Sequence, residues 1–290
     1  QAERIRADLA ESGTGPARGV SLVAEGLGYL GGVIVIVGLL LVLGLTWETL
    51  SPGGKVAVAG GVMLAFAVAG ALVPAARLGS TGARLRGVLW LGATIGIAAA
   101  LGLTADELLD WQPEQATLAL ASGGAAVVSA VAWWVSRHLL QHLSTLAALL
   151  PAVWNGTWLA TESDLWSNLA LWGVGVVWFV LALPGILPRR SGSVLGAVSI
   201  TIGGLLMLVE DWGSLFALGS AVALVAVAVL RRELAVLGVG SVATLIALPI
   251  AVQEYFPGVL PAALSLMGGG LALVAIALLT ARRRRSDPTA

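Results

Sequence analysis

Long apolar runs alternate with short polar connectors along almost the whole chain. Ten runs have the length of membrane spans: Leu27–Thr46, Val56–Val73, Gly87–Leu103, Ala116–Val135, Leu143–Ala160, Trp166–Leu187, Val194–Val209, Ser214–Leu230, Leu234–Val252 and Ala262–Thr280. About 20 mostly apolar residues, rising 1.5 Å each, cross roughly 30 Å of hydrocarbon. The predicted fold is therefore all-α: a polytopic transmembrane helix bundle of ten spans in five outward hairpins. Residues 1–21 read as a polar stub and linker, 22–281 as the membrane domain and 282–290 as a basic tail. The connectors are too short to hold a soluble domain.

The connectors also alternate in charge. The first, third, fifth, seventh and ninth carry Glu48; Asp106, Glu107, Asp110 and Glu114; Glu162 and Asp164; Glu210 and Asp211; and Glu254. The others carry Arg77, Arg84 and Arg86; Arg137; Arg189 and Arg190; and Arg231 and Arg232, with Arg282–Arg285 in the tail. Of 16 Lys and Arg residues, only Lys55 falls on the acidic side. Basic residues in short loops resist translocation, so the arginine side is expected to be cytoplasmic, with both ends of the chain inside. The net charge of zero hides this separation.

Composition narrows the function classes. At 58% hydrophobic and 11% charged, with mean hydropathy +0.95, the chain lies far from soluble usage. Arginines dispersed beside headgroups argue against nucleic-acid binding. With no cysteine, thiol catalysis, disulfides and Cys-ligated metals are excluded. No Ser/His/Asp set, phosphate-cradling Gly/Lys loop or catalytic carboxylate pair stands out, so no enzyme activity and no cofactor are expected. The polar first residues do not read as a cleavable signal peptide, and the missing initiator Met suggests that further residues precede Gln1.

Glu25-Gly-Leu-Gly-Tyr-Leu-Gly-Gly, followed by Gly44-Leu-Thr-Trp-Glu-Thr-Leu-Ser-Pro-Gly-Gly-Lys55, resembles the start of a family of bacterial membrane proteins of unknown function. The shared pattern is an acid before Gly-Tyr-x-Gly, a long apolar span, then Trp-x-x-Leu-x-Pro and a basic residue opening the next span. It covers about residues 22–75. The resemblance implies a multi-pass protein of the bacterial inner membrane and no particular activity.

Several features bear on chemistry. Trp47, Trp111, Trp158, Trp166 and Trp212 fall at the expected outer interface and Trp133 and Trp134 at the inner one, where indole rings anchor spans. Gly28-x-x-x-Gly32 and Gly92-x-x-x-Gly96 have helix-pair spacing, and compact packing within the chain is the expected use of the glycines. His138 and His142 lie four residues apart, a metal-compatible spacing for which interfacial polar contacts are the preferred explanation. No ionisable residue lies at mid-bilayer, and Pro184 and Pro249 fall within the sixth and ninth runs. The fifth run is the most irregular, with Pro151 ahead of Asn155-Gly156-Thr157; an ordinary proline kink is the preferred reading. If a ligand passes through, its outer vestibule is expected at Asn155, Thr157 and Asn168, ringed by Glu162, Asp164, Glu210 and Asp211. That negative field suits a cation or small amine. Two functions follow: a transporter- or channel-like protein, or a non-catalytic scaffold or accessory subunit. The expected partners are the lipid bilayer and a membrane protein or second copy.

Overall fold

The computed structural model describes residues 44–255 continuously, with Leu30, Ile34, Val37, Gly38, Leu41, Leu260, Ala263, Leu264, residues 267–271, Val274 and Ala275 as isolated positions. Most of the first and last apolar runs, the stub, the tail and Gly28-x-x-x-Gly32 lie outside the described residues. Gln1–Ser51 and Pro52–Ala290 form separate units. In the first, Trp47–Thr49 make a single 3-10 turn.

The second unit holds α1 (Pro52–Leu72), α2 (Ala75–Leu103), α3 (Glu114–Ser136), α4 (Leu139–Thr161), α5 (Asp164–Ala182), α6 (Arg189–Leu206), α7 (Gly213–Arg231) and α8 (Leu234–Tyr255). No strand occurs among the described residues. Among the described residues, seven helices are long and apolar enough to cross a membrane. The exception is α4, which has the length but is less apolar. Its polar residues Gln141, His142, Ser144, Thr145 and Asn155 are all buried.

Consecutive helices turn back on one another, so the arginine-bearing turns gather at one end of the bundle and the acid-bearing turns at the other. Contacts also join α2 to α4, α4 to α6 and α6 to α8, a row of parallel helices with the odd-numbered ones flanking it. Half of α6 is buried, against 11% of α1. The burial pattern inverts that of a soluble protein. Ser129, Ser167, Ser193, Ser199, Ser214, Gln141 and His142 are inside, while Leu64, Val127, Val131, Val177, Val222 and Val242 are exposed. Lipid tails are as apolar as leucine, so small and hydrogen-bonding residues fill the helix contacts and large aliphatic ones face out.

Close approach at glycine supplies the packing. A Cβ at Gly92 or Gly96 would lie 2.9 Å from the Phe66 ring or 2.8 Å from Met63 Cα, so the predicted Gly92-x-x-x-Gly96 pair seats α2 on α1. The α5–α6 contact uses a stripe not singled out from the sequence. Cβ atoms at Gly196 and Gly203 would come within 2.6 Å of Phe179 N and Trp172 Cα.

Two boundaries differ from expectation. The helix predicted from Gly87 begins at Ala75, just after Pro74, because no later residue interrupts it; Arg84 and Arg86 are therefore helical. Arg86 turns back to donate to Val73 O at 2.9 Å, satisfying a carbonyl freed at the end of α1. Pro184 lies in the turn after α5, beside Gly185 at φ +88°, rather than inside a span.

Candidate functional site

Local chemistry first explains why α4 is irregular. Pro151 lacks an N–H, so the Ala147 carbonyl loses its helical donor, yet the helix continues to Thr161. One turn on, Asn155 Nδ2 donates to Pro151 O at 2.8 Å. This bond satisfies the amide nitrogen within its own helix. Asn155 Oδ1, by contrast, is buried and has no hydrogen-bond partner. Asn155 lies six residues before the end of α4, about 9 Å from its acidic end at 1.5 Å per residue.

A groove of about 540 Å³ opens here between α4, α5 and α6. Ala147, Leu150, Pro151, Trp154 and Asn155 form one wall, Asp164, Asn168 and Leu171 the second, and Ile202, Leu206 and Val209 the third. A second cavity of about 520 Å³ lies on the α2–α3 side of α4 and shares Ala147, Pro151 and Asn155 with the first. The proline turn of α4 thus borders both spaces, and both are within the size range of small-molecule sites.

The two amides have different roles. Asn168 Oδ1 accepts from Trp154 Nε1 at 2.9 Å, and its Nδ2 donates to Leu206 O at 3.1 Å. Leu206 ends α6 before the 3-10 turn Met207–Val209, which leaves its carbonyl open to an outside donor. Asn168 therefore ties α4 and α6 to α5, and Asn155 holds the unused acceptor. Asp164, exposed in the first turn of α5, supplies the only charge among the described residues lining the groove. No lysine or arginine among the described residues lines it.

Of the residues predicted for the vestibule, the structure brings together Asn155, Asn168 and Asp164. Thr157, Glu162, Glu210 and Asp211 do not line the groove. Glu162 instead caps α4 in the left-handed conformation, φ 50°, its N–H donating to Trp158 O at 2.6 Å. Asp211 is exposed and receives Tyr255 Oη on its backbone carbonyl at 3.3 Å.

The histidines part company. His138 caps α4, its Nδ1 accepting from Leu140 N at 3.4 Å. His142 is fully buried between the Trp133 and Trp178 rings, at centroid distances of 4.8 and 5.6 Å. Both its ring nitrogens are engaged, Nε2 by Trp178 at 3.0 Å and Nδ1 by Ser191 Oγ at 3.2 Å. Trp133 is consequently a core residue, whereas Trp134 is 71% exposed, as an interfacial anchor would be. Gln141 Nε2 adds a bond to Gly87 O at 2.6 Å, joining α4 to α2. The sequence signal for this cluster is the polar run Gln141, His142, Ser144, Thr145 at the start of a span.

At the other end of the bundle the sequence reading had no site. A pocket of about 360 Å³ there is lined by Arg189, Arg190, Ser193 and Val194 from α6 and by Arg232, Glu233, Leu234 and Ala235 around the start of α8.

Comparison with protein-family models, with curated proteins and with solved structures finds no match to this chain.

Proposed function

We propose that this chain is a multi-pass protein of a bacterial inner membrane that binds a small lipophilic cation or amine in the α4–α5–α6 groove and moves it across the bilayer. One observation carries the reading: a buried, unpartnered carbonyl oxygen, Asn155 Oδ1, in a mainly apolar groove whose only charge among the described residues is the Asp164 carboxylate. A buried acceptor without a partner costs about 1–3 kcal/mol, which a ligand ammonium donating to it offsets. The carboxylate raises the local concentration of cations, and the apolar walls accept their hydrocarbon. In this reading the arginine end faces the cytoplasm, with ten spans and both termini inside.

The test uses a primary alkylamine as probe in proteoliposomes. Saturable uptake, reduced tenfold or more by Asn155→Leu at equal reconstitution, is the expected outcome. Uptake no faster than in empty liposomes, or unchanged in the variant, rejects the reading. Orientation is tested separately with single cysteines at Asp110 and Arg190 in this cysteine-free chain. They should label from opposite sides of the membrane.

One observation favours a second reading, an accessory subunit of a membrane complex. α1 is only 11% buried and presents Leu64, Val68 and Leu72 outward. Recovery of a stoichiometric partner in mild detergent, lost on replacing these three residues by alanine, would select it.

A further inference from the structure

The pocket at the basic end is built from like charges. Arg189, Arg190 and Arg232 line it against a single carboxylate, Glu233. Three guanidinium groups and one acid leave an excess of two positive charges around a volume of about 360 Å³. Among the described residues the one ion pair is Lys55–Glu107, so none of these arginines is neutralised by an acid there. Arg137 lies over the Trp133 and Trp134 rings at 5.5 and 4.8 Å; among the described residues, none of the three pocket arginines lies over an aromatic ring.

The backbone adds to the same field. Arg189 and Arg190 are the first two residues of α6; Pro188 precedes them, no side chain caps the helix, and its first turn has no acid. The Gly192 N–H is the first to bond back, to Pro188 O at 2.7 Å. Helix geometry leaves the preceding N–H groups without an intrahelical acceptor. Two arginines at the positive end of a helix are placed against its dipole, an arrangement that an anion relieves. The start of α8 lines the opposite wall, so a second set of helix-initial N–H groups borders the pocket. Arg232 is held at the rim in the left-handed conformation, φ 58°, as the C-cap of α7. Each of these features alone is ordinary. Their convergence on one concavity is not.

We infer that this pocket is a binding site for a phosphate-bearing anion, clamped by Arg189, Arg190 and Arg232 between the first turns of α6 and α8. Guanidinium forks match phosphate oxygens in paired hydrogen bonds, and helix N-termini favour the same charge. Two sources present this chemistry at such a depth: the headgroup of an anionic lipid and free phosphate from the adjoining aqueous phase. The proposal is independent of cation binding in the groove, which lies near the other end of α4 and α6.

The experiment uses the full chain in detergent. Thermal unfolding is followed during titration with cardiolipin, phosphatidylglycerol and phosphatidylcholine, and in a separate arm with inorganic phosphate. Arg189→Ala/Arg190→Ala is compared with wild type and with Arg84→Ala/Arg137→Ala, which removes the same charge outside the pocket. Expected is a rise in the unfolding midpoint with the anionic lipids or with phosphate, and none with phosphatidylcholine. The concentration needed should increase at least tenfold in the pocket variant and less than twofold in the control. A response to lipid alone identifies a headgroup; a response to phosphate as well identifies the free anion. If the alanine variant does not yield folded protein, Arg189→Lys/Arg190→Lys serves in its place. It keeps the charge, loses the paired geometry and should weaken the response several-fold. The inference is overturned if no anion shifts the midpoint, if the pocket variants respond like wild type, or if the control loses the response equally.

Discussion

Trp178 donates its indole N–H to Nε2 of His142 across 3.0 Å. An indole nitrogen only donates, so Nε2 carries a lone pair and the imidazole proton resides on Nδ1, from which it reaches Ser191 Oγ at 3.2 Å. The Trp133 ring stacks on the same imidazole at 14°. One side chain of α4 thus contacts α3, α5 and α6 together. The Gln141 bond to Gly87 O extends the junction to α2.

Trp178→Phe keeps the ring stack and removes only the donor. It leaves Nε2 buried and unsatisfied, at a cost of about 1–3 kcal/mol. The unfolding midpoint in detergent should fall accordingly. Nitrogen-15 spectra of histidine-labelled wild type should show His142 as the Nδ1–H tautomer; an Nε2–H signature would contradict the arrangement.

Asn155 and Asn168 should separate function from stability. Asn168→Leu leaves Trp154 Nε1 and Leu206 O without partners, and a loss of about 1–3 kcal/mol is expected. Asn155→Leu removes an acceptor that has no partner and a donor that bonds only within α4. Its stability should stay within about 0.5 kcal/mol of wild type or rise, because no other group is orphaned. Comparable destabilisation by both substitutions would count against the division of roles.

The glycines fall into two groups that alanine substitution should resolve. At Gly196 and Gly203 the new methyl would meet backbone of the facing helix at 2.6 Å, so α5 and α6 must separate. Overpacking of this kind costs about 1–3 kcal/mol. Gly219→Ala meets nothing within 4 Å and gains helix propensity, up to about 1 kcal/mol. Denaturant titrations in detergent should place the first two below wild type and the third at or above it.

Glu162 occupies the left-handed region as the C-cap of α4, with its side chain exposed. A non-glycine residue there pays roughly 1 kcal/mol in steric strain. Glu162→Gly should therefore raise stability by several tenths of a kcal/mol to about 1 kcal/mol, once the greater freedom of glycine in the unfolded chain is deducted. A drop in the unfolding midpoint would show that Glu162 makes a compensating interaction at the acidic end.

Apolar run length and turn chemistry made α1 to α8 legible in the sequence, including the alternation of Arg137, Arg189 and Arg232 with Asp110, Glu162 and Glu210. Those signals are one-dimensional: a run must be long enough to cross, and a charge must lie where the run stops. Gly92 and Gly96 were readable for the same reason, since their spacing repeats with the helix. Pro184 was misplaced because a run of Leu and Ala does not mark where a helix ends, and no acid or arginine separates Ala182 from the turn. The faces were not legible either. Leu, Val and Ala are equally at home against lipid or a neighbouring helix, so hydropathy does not tell Val177, exposed, from Phe179, buried. Only the tertiary structure decided that Trp133 packs on His142 while Trp134 faces out, that Asn168 is engaged while Asn155 keeps an open acceptor, and that Arg189 and Arg232 border one pocket. Each of these depends on which helices adjoin and how they are rotated. Side-chain fit between helices sets that rotation, because the bilayer supplies no hydrophobic drive to choose it.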